Sequence, residues 1–406
     1  MGLSVRGRQS RAGFLMQRVL LTVMLGAIGG PLPFSVLVYL SPTGVHQILA
    51  SPPLTDNSPQ PERPQLSFAT WWRGDFQRGV ESWFGDRVEP RGRIVRLTNE
   101  VYYRLFAKSY MFNRTIVVGR EGHLYELGYL KAYCRSADRL GRGGSASLLA
   151  KLSEVLPMLE RSDRWLLFLL TPSKPVIMPE FLPRGVCDGL PASLAERARF
   201  LTSLRSAGIP VIDGPGVTQT MKVSDPLPPF PRGGTHWSRL VGARVSTTVM
   251  EAAKRRSGRD MGQLSVDPPR WNAAPTGADI DLARLLNLWR PPLDYPAPSV
   301  AWRCGPTAAG RDTRLVAVGG SFLEQVLEPI AACALFGRID YYNYYDKWRR
   351  EWPGRRILPV DRAAIRWQEE LSRPTVVLLE LNESSIIGNG APHLELFLDD
   401  LRVALR

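Results

Sequence analysis

The stretch LVAVGGSFL at residues 315–323 is an apolar run that leads through two glycines to a serine. Apolar residues continue beyond it at helical spacing, at Val326, Leu327 and Ile330. We predict a β-strand that turns sharply into a helix, because glycines lack the Cβ atoms that would obstruct such a turn. Ser321 would then stand at a helix N-terminus, where free backbone N–H groups favour negative charge. It is either a helix cap or a nucleophile whose oxyanion these groups stabilise.

A serine nucleophile needs a base, and the chain contains four histidines. His236 lies in GGTHWS at residues 233–238, where a proline-rich approach meets a predicted helix. This junction is the kind of exposed position that a base at the rim of a sheet requires. We therefore predict His236 as the partner of Ser321.

Short apolar strands alternate with helices along most of the chain. Strands are predicted at 165–170, 210–213, 315–319, 338–342 and 375–381, with helices at 146–159, 194–207, 236–255 and 393–405. This alternation predicts an α/β fold with a mainly parallel sheet and helices on both faces. Residues 257–312, rich in proline, glycine and arginine, are expected to be mostly loop or insertion. Functional groups in such sheets gather beyond the carboxyl ends of the strands.

The N-terminal 65 residues differ from the rest in composition. Residues 1–18 contain four arginines, and the uncharged run at 19–40 is long enough to span a bilayer. Positive charge before the span predicts a transmembrane signal anchor with a cytoplasmic N-terminus and an exported remainder. A cleaved signal peptide is the alternative. Residues 41–65 are proline-rich and predict a linker to a folded domain at 66–406.

Charge and cysteine content limit the partners. The net charge of +14 suits nucleic acid, an anionic polymer or an anionic membrane surface, and because an exported protein rarely meets nucleic acid, the other two are favoured. A merely soluble basic surface is the alternative. Four cysteines fit an oxidising compartment and allow three disulfide pairings: Cys134, Cys187, Cys304 and Cys333. Their spacing suggests no metal site.

Several short motifs occur in one order across residues 66–405. They are FGDR at 84–87 with Arg91, VVGREGHLY at 117–125, LTPSK at 170–174, PEFLP at 179–183, THWS at 235–238, GGSF at 319–322 and ELNE at 380–383. With this ordered set the chain resembles the SGNH-hydrolase-like family of alginate O-acetyltransferases, the AlgJ/AlgX type. Members of that family are periplasmic proteins that acetylate exported polysaccharide.

The resemblance implies a catalytic triad of Ser321, His236 and an aspartate two residues before the histidine. That position holds Gly234 in this chain. The aspartate of a triad holds the imidazole in its productive tautomer, so its loss costs orders of magnitude in rate. Asp225, Glu380 or a backbone carbonyl could orient His236 instead, or a dyad could work slowly. A domain that binds polymer without catalysis is the remaining possibility.

The resemblance also implies a function. The expected reaction is O-acetyl transfer to an exported polysaccharide, anionic or neutral, through an acetyl-enzyme at Ser321. A membrane-bound O-acyltransferase partner would supply the acetyl group at the bacterial inner membrane, with the main domain in the periplasm. No separable cofactor, metal or nucleic acid is expected. The alternatives are a non-catalytic carbohydrate-binding or scaffold homologue in an export complex, and a polysaccharide acetyl-esterase.

Other side chains are candidates for contacts with substrate. Lys174 could contact an anionic polymer, and aromatic residues around 341–352 could stack on sugars beside flanking arginines. The predicted substrate-binding residues are Lys174, Tyr344, Trp348 and Arg349. Glu380 and Glu383 straddle a predicted strand end, where one of them would brace the rim by hydrogen bonds.

Overall fold

The computed structural model describes residues 11–43, 45, 50–51, 53–55, 62–85, 88–110, 115–135, 144–187, 193–305, 312–387 and 390–406. Residues 1–10 of the predicted basic N-terminus at 1–18, and residues 44, 46–49, 52 and 56–61 of the predicted linker at 41–65, lie outside the described residues. The chain divides into two compact units. Unit 1 comprises residues 1–113 and 284–291, and unit 2 comprises residues 114–283 and 292–406. The predicted start of the folded domain at residue 66 stays a prediction.

Unit 1 is helical in its described part. Its helices are α1 (Arg11–Gly29), α2 (Pro31–Leu40), α3 (Phe68–Trp72), α4 (Asp75–Gly85) and α5 (Arg91–Phe106). Side chains of α5 hold the segment 284–291 through its carbonyl groups. Asn99 Nδ2 donates to Leu286 O at 2.9 Å, and Arg96 Nη1 donates to Leu288 O at 3.1 Å.

The predicted membrane anchor at residues 19–40 is wrong. The uncharged run forms parts of two helices, since α1 ends at Gly29 and Pro31 begins α2. In the described part of the chain, no helix combines the length and the apolar character that crossing a membrane requires. The predicted single-pass location in the inner membrane rested on that anchor and is wrong for the same reason.

Unit 2 contains the strands. They are β1 (Ile116–Val118), β2 (Leu124–Glu126), β3 (Arg164–Thr171), β4 (Val211–Asp213), β5 (Leu264–Val266), β6 (Arg270–Ala273), β7 (Ala297–Ser299), β8 (Trp302–Cys304), β9 (Arg314–Gly319), β10 (Arg338–Asn343), β11 (Trp348–Trp352), β12 (Ile357–Pro359) and β13 (Thr375–Asn382). Seven of these described strands form one sheet in the order β12-β11-β10-β9-β13-β3-β4.

The sheet is mixed, so the prediction of a mainly parallel sheet is wrong. Strands β10, β9, β13, β3 and β4 pair in parallel, whereas β11 is antiparallel to β10 and β12 is antiparallel to β11. The chain turns back directly after β10 instead of crossing over through a helix, and a short turn joins only antiparallel strands. Tyr344 and Tyr345 make this turn with φ values of 45° and 67°.

Helices cover both faces of the sheet. Those that begin in unit 2 are α6 (Leu127–Tyr133), α7 (Gly144–Glu160), α8 (Lys174–Ile177), α9 (Ser193–Ser206), α10 (Gly214–Ser224), α11 (Arg239–Ser257), α12 (Asp281–Leu285), α13 (Leu323–Ala332), α14 (Trp367–Glu370), α15 (Glu383–Ile387) and α16 (Pro392–Ala404). Because successive strand residues point to opposite faces, Leu167 packs into the core beneath α11 and α13, while Phe168 packs beneath α7, α9 and α16.

Residues 257–305 contain more regular secondary structure than their composition predicts. Strands β5 and β8 form one antiparallel pair and β6 and β7 another, with α12 between them in the chain. A disulfide joins Cys304 of β8 to Cys333 at the end of α13, and a second joins Cys134 to Cys187. This segment, predicted to be loop, carries a residue of the candidate site.

Candidate active site

Ser321 stands at the carboxyl end of β9, between the strand and helix α13. The backbone passes so close to β13 that a Cβ on Gly319 would lie 2.6 Å from Glu380 Cβ, a separation that real Cβ atoms do not show. Only glycine fits this turn. Phe322 occupies the N-cap position of α13, and no side chain caps the helix there. The Ser321 hydroxyl is therefore not a helix cap.

The hydroxyl of Ser321 instead hydrogen-bonds to the predicted base. Ser321 Oγ lies 2.6 Å from His236 Nε2, and His236 Nδ1 lies 2.5 Å from Asp281 Oδ2. The three side chains form one continuous line, with the His236 side chain 17% exposed and that of Asp281 26% exposed. This arrangement has the geometry of a serine-histidine-carboxylate triad.

Asp281 is the residue that sequence reasoning missed. It is the first residue of α12 and lies 45 positions after His236. Its second oxygen, Oδ1, accepts hydrogen bonds from the backbone N–H of Thr235 at 2.8 Å and of Leu282 at 2.7 Å. The carboxylate is therefore fixed on both sides, so that Oδ2 faces the imidazole. Its sequence signal was an acidic pair, Asp279 and Asp281, at the start of a short helical segment in a basic stretch.

The position that holds the aspartate in the resembled family has no room for a side chain here. A Cβ on Gly234 would lie 2.3 Å from Ala278 O and 2.8 Å from Pro231 Cγ. The segment that delivers Asp281 thus fills this space. Tyr295 fastens the segment to the loop before His236, because its hydroxyl donates to Asp279 O at 2.6 Å and accepts from Gly233 N–H at 3.1 Å.

Neither carboxylate predicted to orient His236 does so. Asp225 is bound by Arg244, with Nη1 to Oδ2 at 2.7 Å. Glu380 lies fully buried beneath the nucleophile turn, where it accepts the backbone N–H of Gly320 at 2.6 Å and the hydroxyl of Thr171. Burial raises the pKa of Glu380. It braces the rim by hydrogen bonds.

Lys174 is not available to substrate, contrary to the prediction. The side chain is 1% exposed, and Nζ donates to Pro231 O at 2.6 Å, Arg232 O at 3.0 Å and Gly234 O at 2.9 Å. Burial lowers its pKa to about 7. All three N–H groups of the ammonium are engaged. Lys174 thereby fixes the loop that leads to His236.

Of the three other predicted substrate residues, Tyr344 lies at the nucleophile. A Cβ on Gly320, the residue before the nucleophile, would lie 3.1 Å from the Tyr344 hydroxyl, and burial raises the pKa of this phenol. Trp348 instead packs its ring edge-on against Tyr341 at 5.2 Å. Arg349 is bound to Glu351, with Nη2 to Oε1 at 2.6 Å. The structure therefore does not bring Trp348 and Arg349 to Ser321.

Two more side chains approach the site without having been predicted. Glu126 lies close to Thr235, whose hydroxyl is 3.4 Å from Oε2, and burial raises the pKa of this carboxyl. Tyr129 packs edge-on against Phe322, the residue after the nucleophile. In the described residues, no cluster of three or more His, Cys, Asp or Glu side chains has an arrangement that would hold a metal ion.

The chemistry of this arrangement is acyl transfer. A hydroxyl hydrogen-bonded to an imidazole loses its proton as it attacks a carbonyl carbon, and a carboxylate on the far ring nitrogen stabilises the imidazolium that forms. The site thus has the three side chains that serine-dependent acyl transfer requires, on an α/β scaffold.

The family comparison agrees with this class. Residues 116–300 match the model of the SGNH hydrolase-like domain of acetyltransferase AlgX, which confirms the predicted resemblance. The match includes His236 and Asp281 and ends before Ser321. It supports an SGNH-like α/β fold and an acetyltransferase family. No curated protein matches the chain.

Several solved structures are similar to the chain at low identity. The O-acetyltransferase domain of Pseudomonas putida AlgJ is 16% identical, with 69% of this chain and 98% of that chain covered and a TM-score of 0.45. Pseudomonas aeruginosa AlgX is 14% identical, with 70% and 67% covered and a TM-score of 0.45. Bacillus cereus PatB1 is 9% identical, with 67% and 97% covered and a TM-score of 0.40.

Proposed function

We propose that this protein is an O-acetyltransferase that transfers an acetyl group through Ser321 to a hydroxyl of an exported polysaccharide. The observation that carries the proposal is the continuous contact from Ser321 Oγ through His236 to Asp281 Oδ2. The acetyltransferase family of residues 116–300 supports it.

In the first half-reaction Ser321 Oγ attacks the carbonyl carbon of an acetyl donor. His236 Nε2 accepts the serine proton, and the Asp281 carboxylate stabilises the resulting imidazolium. The carbonyl oxygen gains negative charge, which the backbone N–H of Ser321 and the nearby Tyr344 phenol would stabilise. The bond from the acetyl carbon to the leaving group breaks, and the leaving group takes the proton from His236. An acetyl ester on Ser321 results.

The second half-reaction reverses these steps with a new acceptor. A sugar hydroxyl gives its proton to His236 as its oxygen attacks the acetyl carbon. The bond to Ser321 Oγ breaks, and the serine regains a proton from His236. Water in place of the sugar would make the protein an esterase. A partner acyltransferase as the acetyl source, inferred from the family resemblance, belongs to the same proposal.

The non-catalytic alternative depended on the missing family aspartate. Asp281 supplies a carboxylate at the atom where a triad needs one, so Gly234 is no longer an argument against catalysis. This favours the enzyme over a scaffold or binding protein.

Turnover of 4-nitrophenyl acetate by the full chain tests the proposal. We expect wild-type protein to release 4-nitrophenolate and the Ser321→Ala and His236→Ala variants to fall to the rate of the uncatalysed reaction. Ser384→Ala, at a serine of α15, is the matched control and should retain activity. Adding an oligosaccharide should yield acetylated sugar in excess of free acetate. If wild type and Ser321→Ala are equally inactive, the proposed enzymatic activity is contradicted. If free acetate is the sole product, the protein is an esterase.

A further inference from the structure

Unit 1 exposes far more apolar surface than unit 2. Of the 31 large apolar side chains that are exposed in the described residues, 26 lie in unit 1 and 5 in unit 2, although unit 1 is the smaller. Folded proteins rarely leave large apolar patches in water, and such patches mark interaction surfaces. We propose that helices α3 and α5 of unit 1 bind the surface of an anionic lipid bilayer. This inference goes beyond the proposed function and does not depend on it.

Helix α5 has a buried face and, apart from it, an exposed apolar stripe. Gly92, Val95 and Asn99 are buried at spacings of three and four residues. The α5 stripe follows similar spacings and is between 43% and 72% exposed; it consists of Ile94, Leu97, Val101 and Leu105. Residues three and four positions apart lie on the same side of a helix, so the stripe runs along α5 as one apolar surface.

Helix α3 adds three exposed aromatic rings. Phe68, Trp71 and Trp72 are 79%, 50% and 74% exposed. Phe68 and Trp72 stack with their ring centroids 6.0 Å apart. Ser67 caps this helix, because its side chain accepts the backbone N–H of Thr70. Tryptophan favours the boundary between lipid and water, since its ring is apolar and its N–H is polar.

The charge of unit 1 selects an anionic occupant. Unit 1 has 15 Lys and Arg residues against 7 Asp and Glu, so it carries +8 of the net charge of +14. Arg93 and Arg104 each directly precede a residue of the α5 stripe. In helices that lie on a bilayer, apolar side chains enter the acyl boundary while neighbouring arginines reach the phosphates. A second copy of the chain would bring the same positive charge against unit 1, whereas anionic headgroups bring the opposite charge.

Flotation of the full chain with lipid vesicles tests the proposal. We expect wild type to bind vesicles with about 30% phosphatidylglycerol in phosphatidylcholine, and to bind at least about tenfold more weakly to pure phosphatidylcholine or in about 0.5 M NaCl. Leu97→Gln/Val101→Gln/Leu105→Gln should weaken binding by at least about tenfold, because three apolar side chains no longer leave water. Val223→Gln/Val403→Gln is the matched control in unit 2, where these side chains are 83% and 71% exposed, and it should bind as wild type.

A spectroscopic readout locates the lipid contact. Phosphatidylcholine brominated on its acyl chains quenches the fluorescence of tryptophans that enter the bilayer. With such lipid in the anionic vesicles, we expect quenching in wild type and loss of most of it in Trp71→Phe/Trp72→Phe, which keeps the apolar character of the surface. Trp302→Phe, in unit 2, should leave the quenching unchanged.

Every outcome decides for or against lipid binding at this surface. Equal binding by the stripe variant and wild type, equal binding to charged and uncharged vesicles, or absence of quenching would overturn the proposal. Stripe-dependent dimers in sedimentation velocity without vesicle binding would identify a second copy as the occupant and overturn it as well. Thermal unfolding midpoints equal to that of wild type show that the variants are folded.

Ester turnover separates this proposal from the proposed function. The stripe variant should retain wild-type turnover of 4-nitrophenyl acetate, because its substitutions lie in unit 1 and the triad lies in unit 2. Stripe-dependent vesicle binding by a wild type that lacks turnover would support the lipid surface and contradict the enzyme. Turnover without stripe-dependent vesicle binding would do the reverse.

Discussion

Asp281 decides how His236 is held, because it is the carboxylate that contacts Nδ1 of the ring. Replacing it with asparagine keeps the size of the side chain and removes the charge that stabilises the imidazolium. We expect Asp281→Asn to lower kcat for ester turnover by about 10⁴-fold with little change in KM, as loss of a triad aspartate does elsewhere. Steady-state kinetics with 4-nitrophenyl acetate measure both parameters.

The matched control for that variant is Asp225→Asn. Asp225 was one of the two carboxylates that the sequence suggested as partners of His236, and the structure pairs it with Arg244 instead. It should keep wild-type kcat. An Asp225→Asn variant as inactive as Asp281→Asn would contradict the assignment of the triad.

A substitution at Gly234 tests whether a carboxylate at that position can replace Asp281. Gly234→Asp restores the aspartate of the resembled family by sequence, but its Cβ would lie 2.3 Å from Ala278 O. We expect it to lower the free energy of unfolding by about 1–3 kcal/mol, the usual cost of overpacking. It should not rescue Asp281→Asn. Urea denaturation and the kinetics of the double variant measure these effects, and restored turnover would show that the carboxylate position is interchangeable.

Helix α15 begins with a buried acid that gives stability a pH dependence. Glu383 is 2% exposed and accepts the backbone N–H of Ser173 at 2.8 Å, and Arg197 Nη1 lies 3.3 Å from its other oxygen. Burial raises its pKa to about 7 from an ordinary value of 4.5. The contribution of Glu383 to the free energy of unfolding is thus fully present below pH 4.5, where the carboxyl is protonated in both the folded and the unfolded protein. It is lost as pH rises through about 7.

Glu383→Gln should remove this dependence. The amide keeps an acceptor for the N–H of Ser173 and cannot ionise. Relative to wild type, we expect the variant to gain about 3 kcal/mol in unfolding free energy between pH 4.5 and pH 8. Urea denaturation across this range provides the measurement. Parallel pH profiles for the two proteins would show that Glu383 does not change its ionisation on unfolding.

The elements themselves were largely predictable from local pattern. Strand β9 and the turn to Ser321 follow from an apolar run and two glycines, and His236 from its place at a loop-to-helix junction. Asp281 was not predictable, because a contact across 45 residues of proline- and glycine-rich chain depends on tertiary packing. Strand β11 was not predicted, because the turn at Tyr344 and Tyr345 that leads into it needs left-handed backbone, which these residues rarely adopt. Lys174 was predicted to be exposed because a lysine in a loop usually is. The structure instead buries it, where its ammonium donates to three backbone carbonyls.

At the scale of the whole molecule, two disulfides cross-link unit 2. Cys134–Cys187 and Cys304–Cys333 close segments with sequence separations of 53 and 29 residues. By the chain-entropy argument, replacing either pair with serines should lower the free energy of unfolding by about 4 kcal/mol. Guanidinium denaturation of the two double variants measures this. Wild-type protein in excess reductant should lose stability as well. Unchanged midpoints of guanidinium denaturation would contradict the presence of both disulfides.

The central claim is that Ser321 carries the acetyl group between donor and acceptor. Wild-type protein mixed with 4-nitrophenyl acetate, quenched in acid and digested, can be analysed by peptide mass spectrometry. The account predicts one acetyl ester on Ser321 in wild type, strongly reduced labelling in Asp281→Asn, and none at this position in Ser321→Ala. An unmodified Ser321 peptide during measurable turnover, or an acetyl group carried on a different side chain, would contradict it.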